Sequence, residues 1–91
     1  MFKNQRFALG RLLITPGAKE ILGDSEVFSA LGRHASGDWG DVSEDDANEN
    51  EFSVSRKLRI FSVYHSSNGE KFWVITEADR SATTVLLPEE Y

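Results

Sequence analysis

Cysteine is absent from the 91-residue chain, and proline occurs only twice. A chain without thiols has neither a disulfide framework nor a cysteine-based zinc site. No apolar run approaches the roughly 18 residues that a membrane-spanning helix needs. Arg6, Gly10 and Arg11 interrupt the apolar residues near the N-terminus, which therefore lacks the continuous core of a secretory signal. We expect a cytoplasmic protein with no membrane partner.

Positive charge is missing from the middle of the chain. No lysine or arginine occurs between Arg33 and Arg56, and the net charge of the whole chain is -5. This stretch instead carries a run of carboxylates: Asp38, Asp41, Glu44, Asp45, Asp46, Glu49 and Glu51. An acidic segment repels phosphate, so we expect a protein partner with a basic surface and no direct binding of nucleic acid. The alternative is a solvated helix face without a partner.

Local signals place a strand and a short helix in the first quarter of the chain. Residues 7–14, "FALGRLLI", predict a strand. Thr15 is suited to cap a helix whose first position is Pro16, since proline has no N–H to lose there. Gly23 is suited to end this helix.

Two longer helices follow. Asp24 or Ser25 is expected to cap the second helix and Gly37 to end it. Ser43 is expected to begin the third helix, whose end we place near Arg56. The second helix carries apolar residues at helical spacing, namely Val27, Phe28, Leu31 and Ala35.

Three strands occupy the C-terminal third. Residues 58–67, 71–77 and 82–87 are rich in β-branched and aromatic side chains. The Asn-Gly pair at 68–69 predicts a hairpin with a type I′ turn. Pro88 is expected to end the last strand.

Together these elements predict an α+β fold in the order β-α-α-α-β-β-β, with short helices packed on a small, mainly antiparallel sheet. We expect a single domain over residues 1–91. The strands are apolar on both faces, with Trp73 and Ile75 on one side and Phe72 and Val74 on the other. Because such strands need cover on both sides, we expect a homodimer or a monomer with an exposed apolar patch.

Two long stretches of the chain resemble a known family. "LGRHASGDWGDVSEDDANEN" and "KFWVITEADRSATTVLLPEEY" are similar to small uncharacterised proteins of plasmids, phages and integrative elements, often called plasmid-related proteins. The resemblance extends from "ITPGA" to Tyr91 and implies a mobile-element accessory protein of unknown activity. Some of these proteins are labelled type I restriction subunits. That label does not fit, because the chain is too short for such a subunit and has no glycine-rich cofactor loop after a strand.

The loop "HASGDWGD" combines turn-forming residues with a tryptophan. Gly37 and Gly40 allow backbone conformations closed to other residues, and Asp38 can accept hydrogen bonds from nearby backbone N–H groups. Trp39 either closes the end of the sheet as a plug or contacts a partner, and we favour the plug. The candidate binding residues are Asp38, Trp39, Asp41, Glu44, Asp45 and Glu49.

His34 falls on or beside the apolar face of the second helix, where a packing or capping role is the commoner one. A catalytic alternative uses His34 as general acid and base, Arg80 to hold a phosphate and the Thr83 hydroxyl to assist. This layout is analogous to that of small metal-independent ribonucleases. His34, His65 and the aspartates show no metal-ligand spacing, so we expect neither a metal nor another cofactor.

Three functions stay open. The leading hypothesis is a non-enzymatic accessory protein of a mobile element that binds another macromolecule, in one version an anti-defence protein that imitates the charge of DNA. The second is a small ribonuclease or toxin-like enzyme, and the third is a small-ligand sensor with Trp39 as its lid. An enzyme requires His34 and Arg80 to converge at one cleft, whereas a binding module requires carboxylates along an exposed face.

Overall fold

A computed structural model describes residues 2–91 of the chain. It contains a four-stranded sheet, three α-helices and a short 3-10 helix. The elements are β1 (Arg11–Ile14), α1 (Pro16–Ile21), α2 (Asp24–Ser36), α3 (Glu44–Arg56), β2 (Ile60–His65), β3 (Lys71–Thr76), β4 (Ala82–Leu86) and η1 (Pro88–Glu90). The predicted α+β fold and its element order are confirmed. None of the helices in the described part of the chain is long and apolar enough to cross a membrane.

The strands are arranged in the order β1-β4-β3-β2. The β2–β3 and β3–β4 pairs are antiparallel, and β1 joins β4 in parallel, so the sheet is mainly antiparallel as predicted. The helices cover one face, which we call the inner face. Its core includes Val74 and Val85 from the sheet, packed with Ala30 and Leu31 of α2.

The first strand is shorter than predicted, because Gly10 breaks it. Gly10 has φ of +66°, and a Cβ there would clash with the backbone of Arg80 and Ser81. The strand therefore begins at Arg11 instead of Phe7. Phe7 precedes this turn and packs in the core with Ala35, Trp39 and Ile60.

Several helix boundaries follow their local signals. Thr15 caps α1, Ser43 caps α3 through a 3.0 Å bond from the Asp46 N–H, and Gly37 ends α2 with φ of +92°. The cap predicted at Asp24 or Ser25 is wrong, because Gly23 is the N-cap of α2. The backbone N–H of Gly23 donates a 3.4 Å hydrogen bond to the carboxylate of Glu26. This bond uses only the backbone of the capping residue, so a glycine can make it.

The β2–β3 hairpin exists, but its predicted type I′ turn is wrong. That turn requires positive φ at both central residues, whereas Gly69 alone has it, at +85°. The Gly69 N–H donates to the Ser66 carbonyl at 2.9 Å, and the Ser66 hydroxyl accepts from the N–H groups of Asn68 and Glu70. The serine side chain thus fixes a longer loop.

The opposite sheet face, here called the outer face, is partly covered by the end of the chain. Tyr91 packs against Trp73 with ring centroids 5.7 Å apart, and its hydroxyl accepts a 2.6 Å bond from Arg59. With Phe61 and Ile75 these residues line a groove of about 270 Å³. Tyr91 is still 68% exposed, so the end of the chain covers this face only in part.

The free edge of β2 is protected by side chains and by the 39–41 loop. Asn50 of α3 donates to the Phe61 carbonyl at 2.7 Å and accepts from the Phe61 N–H at 3.1 Å. Two residues further along β2, the Val63 N–H donates to the Trp39 carbonyl, and the Val63 carbonyl accepts from the Asp41 N–H. These bonds satisfy backbone groups that would otherwise present a bare strand edge.

We predict that Asn50→Ala lowers the free energy of unfolding by about 1–2 kcal/mol, because it removes two hydrogen bonds to the edge of β2. Asn48→Ala is the matched control on the exposed side of the same helix. It should be neutral or slightly stabilising, since alanine is the better helix former. Urea unfolding followed by circular dichroism measures both, and equal stability of the two variants would contradict the assigned role of Asn50.

Candidate functional site

His34 lies in the centre of the molecule and is fully buried. It projects from the last turns of α2 toward the inner face of the sheet. Its Nδ1 is 2.6 Å from the Ser62 hydroxyl on β2, and its Nε2 is 2.9 Å from the Thr76 hydroxyl on β3. The imidazole thus connects one helix to two neighbouring strands.

The network continues from Thr76 and fixes the direction of every proton. The Thr76 and Thr83 hydroxyls are 2.7 Å apart, and Thr83 is also 2.7 Å from the Leu9 carbonyl. A carbonyl only accepts, so Thr83 donates to Leu9 and must accept from Thr76. Thr76 then accepts from His34 Nε2–H, which leaves Nδ1 to accept from Ser62.

Burial lowers the pKa of His34 to about 3, and the positive charge of Arg80 contributes in the same direction. The ring is therefore neutral throughout the physiological range. A catalytic histidine needs a pKa near the working pH and access to a substrate. His34 has neither, so it acts as a structural group in this conformation.

Arg80 is near the network but is committed to backbone carbonyls. Its guanidinium donates to the carbonyls of Ser53 at 2.8 Å, in the last turn of α3, and of Leu58 at 2.7 Å, just beyond the helix. It also donates to the carbonyls of Glu77 and Ala78. The cation also lies 5.6 Å from the ring centroid of Phe7. The Arg80 side chain thus satisfies carbonyls at the end of α3 and in the turn that begins at Glu77.

The three residues of the catalytic alternative, His34, Arg80 and Thr83, do lie in one region. They do not form a cleft, however, because His34 and Thr83 are both 0% exposed. All three also have hydrogen-bond partners within the protein. No reacting atom of this set is open to a substrate in the described structure.

Trp39 is a plug in the core, 6% exposed, as we favoured from the sequence. Its ring lies 5.9 Å from His34 and 6.2 Å from Phe7, and its Nε1–H donates to Glu51 at 3.1 Å. Gly40 follows it with φ of +75°, where a Cβ would clash with the Val63 carbonyl. The loop therefore lies against β2. Trp39 has no exposed face with which it could cover a ligand as a lid.

The carboxylates at the two ends of the acidic segment are paired. Arg33 binds Asp38 through Nε at 2.7 Å, and Arg6 binds both oxygens of Glu51 at 2.8 and 3.0 Å. Each arginine lowers the pKa of its carboxyl partner by hydrogen bonding. Asp38 thus supports the loop rather than presenting a free charge.

The carboxylates between these two pairs form the candidate binding surface. They are exposed, and no side chain in residues 2–91 makes a salt bridge to any of them: Asp41, Glu44, Asp45, Asp46 and Glu49. Phe52 lies on the side of α3 that carries Asp45 and Glu49, with 48% of its surface exposed. The side chain of Arg56 lies 4.9 Å from its ring centroid. We call these five carboxylates and Phe52 the α3 surface.

Several residues of importance were not singled out from the sequence. Ser62 binds the imidazole, Asn50 protects the edge of β2, and Phe52 is the apolar centre of the α3 surface. Only Phe52 has a local signal, an aromatic residue on the polar side of an amphipathic helix. The other two roles depend on contacts across 28 and 11 residues of sequence.

Comparisons with known proteins add no identification. No family model, curated protein or solved structure matches the chain. The resemblance to plasmid-related proteins therefore stays a prediction. Among the residues described, no three histidine, aspartate or glutamate side chains are grouped closely enough to hold a metal ion.

We predict that the protein loses stability between pH 6.5 and 4.5 because of His34. The unfolded chain binds a proton at this residue near pH 6.5, whereas the folded chain does so only near pH 3. Acid therefore favours unfolding, by up to about 1.4 kcal/mol per pH unit, and the effect fades as the pH rises above 6.5. Carboxylates contribute only at lower pH, below about 4.5.

The measurement is urea unfolding at several pH values for three proteins. His34→Gln, whose amide can donate to Thr76 and accept from Ser62, should remove the pH dependence in this window. His65→Gln changes an exposed histidine and should keep it. A wild-type slope that survives in His34→Gln would show that another group is responsible.

Proposed function

We propose that this protein is a non-enzymatic binding module that uses the α3 surface to bind a protein with a basic surface. The observation that carries the proposal is the row of exposed carboxylates without salt-bridge partners in residues 2–91. The three salt bridges in residues 2–91 join Arg6, Arg33 and Arg59 to carboxylates outside the α3 surface. The negative charge of the α3 surface is thus left for an external cation.

Helix stability alone accounts for only part of this charge. Glu44, Asp45 and Asp46 lie in the first turn of α3, where the positive end of the helix dipole favours carboxylates. Asp41 precedes the helix, and Glu49 is beyond its first turn. These two carboxylates have no such local explanation, which favours an external partner.

Phe52 gives the surface an apolar anchor. It is three residues after Glu49 and seven after Asp45, so all three project from the same side of α3. Exposed aromatic side chains surrounded by charge are typical centres of protein interfaces. We therefore expect the partner to present a small apolar pocket bordered by lysine or arginine.

The competing functions have less support. A ribonuclease would need His34 and Arg80 at a cleft, but His34 is 0% exposed and Arg80 is bonded to carbonyls. A sensor with Trp39 as its lid would have to break the bond to Glu51 and open the core. Anti-defence activity through imitation of DNA charge is one form of the proposed binding, and the resemblance to mobile-element proteins favours it.

We predict that Glu44→Gln, Asp45→Asn and Glu49→Gln together abolish partner binding without unfolding the protein, because exposed charges contribute little to stability. A tagged protein is used to capture partners from host lysate over a series of salt concentrations, with quantitative mass spectrometry as readout. Wild-type capture should weaken with salt, since exposed charges are screened over about 8 Å at physiological ionic strength.

A control variant separates a specific surface from net charge. Glu20→Gln, Glu70→Gln and Glu89→Gln neutralise three other exposed carboxylates, so both triple variants have a net charge of -5 + 3 = -2. The control should keep the captured proteins that the first triple variant loses. Equal capture by both variants would contradict the α3 surface, and RNA cleavage abolished by His34→Gln would favour the enzyme instead.

A further inference from the structure

The second edge of the sheet, formed by β1, is open and apolar. Leu12, Leu13 and Ile14 are 40%, 41% and 37% exposed, although they alternate between the two faces. This contrasts with β2, whose edge is covered by Asn50 and the 39–41 loop. Apolar edge strands of this kind pair readily with another strand.

The backbone groups that face this open edge are known from the pairing with β4. Arg11 N–H donates to Ser81 and Thr15 N–H to Val85, so the odd-numbered residues point toward β4. Leu12 and Ile14 therefore direct their N–H and C=O groups outward. Neither residue has a backbone or side-chain partner for these groups within residues 2–91.

We propose that β1 pairs antiparallel with β1 of a second copy, across a two-fold axis at Leu13, to form a continuous eight-stranded sheet. The outward groups set the register, because an antiparallel pair exchanges hydrogen bonds only between residues that both face the partner. Pairing Leu12 with Ile14 of the second copy meets this condition. The two-fold axis repeats the same pair with the two copies exchanged. This register makes four backbone hydrogen bonds and brings the two Leu13 side chains together on the outer face.

The same register matches opposite charges. It places Arg11 directly across from Thr15 of the second copy, with both side chains on the outer face. The Thr15 hydroxyl and the Gly17 N–H are bonded to the carboxylate of Glu90, which is exposed. Arg11 makes no ion pair in its own chain as far as residues 2–91 extend. Each Arg11 thus reaches the Glu90 of the other copy.

The distribution of the remaining charge also permits this contact. The acidic α3 surface lies beside β2, at the opposite edge of the sheet, and β1 itself contains no carboxylate. Three interstrand spacings of about 4.8 Å separate β2 from β1 in each copy. The two acidic surfaces are therefore further apart in the dimer than the screening length of about 8 Å.

A second copy is favoured over an unrelated strand because both the hydrogen-bond register and the ion pairs are self-complementary. A four-residue strand pair is smaller than a standard interface of about 1,600 Å². We accordingly expect a weak dimer, with a dissociation constant on the order of 10–100 µM. The dimer does not depend on the proposed binding function of the α3 surface.

Sedimentation equilibrium of the full chain, from about 1 to 500 µM, tests the proposal. The wild type should shift from monomer to dimer over this range. Leu13→Glu places two negative charges opposite each other at the axis, and Arg11→Glu places a carboxylate near Glu90, so each should weaken dimerisation at least about tenfold. Arg11→Lys keeps the charge and should weaken it much less.

Folding is checked for each variant by circular dichroism and urea unfolding, and both changed residues are exposed. The triple variant of the α3 surface should dimerise like the wild type, which separates this inference from the proposed function. A wild type that is monomeric at every concentration would overturn the proposal. A dimer insensitive to both Leu13→Glu and Arg11→Glu would also overturn it, by locating the interface elsewhere.

Discussion

The buried imidazole of His34 is the constraint on which the rest of the structure depends. It joins α2 to β2 and β3, and through Thr76 and Thr83 it reaches β4 and the segment before β1. An imidazole in this position is costly unless both nitrogens are bonded. Since a one-residue slip of β2 or β3 would move Ser62 or Thr76 to the outer face, the network favours one register for these strands.

Because the same network fills the interior of the domain, the surface is what is left for function. A small domain has a thin core, and here its centre is occupied by a neutral histidine with no free hydrogen-bonding atom. Trp39 and Arg80 close the surrounding loops rather than opening a cleft. Two surfaces that remain available for interaction lie at the edges of the sheet: the acidic α3 surface beside β2, and the apolar strand β1.

Local signals in the sequence predicted the element order and several boundaries. Thr15 with Pro16, Ser43 and Gly37 could be assigned because a cap or stop depends on a few adjacent residues. The break at Gly10 and the capping of α2 by Gly23 were missed, since a glycine suits a turn, a stop or a cap equally well until the neighbouring backbone is known. The hairpin loop differed because the Ser66 side chain, outside the Asn-Gly pair, determines its geometry. The favoured packing role of His34 is confirmed, but its partners Ser62 and Thr76 could not be predicted, because they are distant in sequence. The same holds for the Leu58 and Ser53 carbonyls that Arg80 binds.

The direct test of the central claim is the protonation of His34 in the folded protein. Long-range proton–nitrogen correlation spectra of ¹⁵N-labelled protein distinguish the two neutral tautomers from the charged ring. The hydrogen-bond directions predict a neutral ring with the proton on Nε2 at pH 7, unchanged down to about pH 5, since its pKa is about 3. A ring that carries its proton on Nδ1, or that titrates near pH 6.5, would contradict the account.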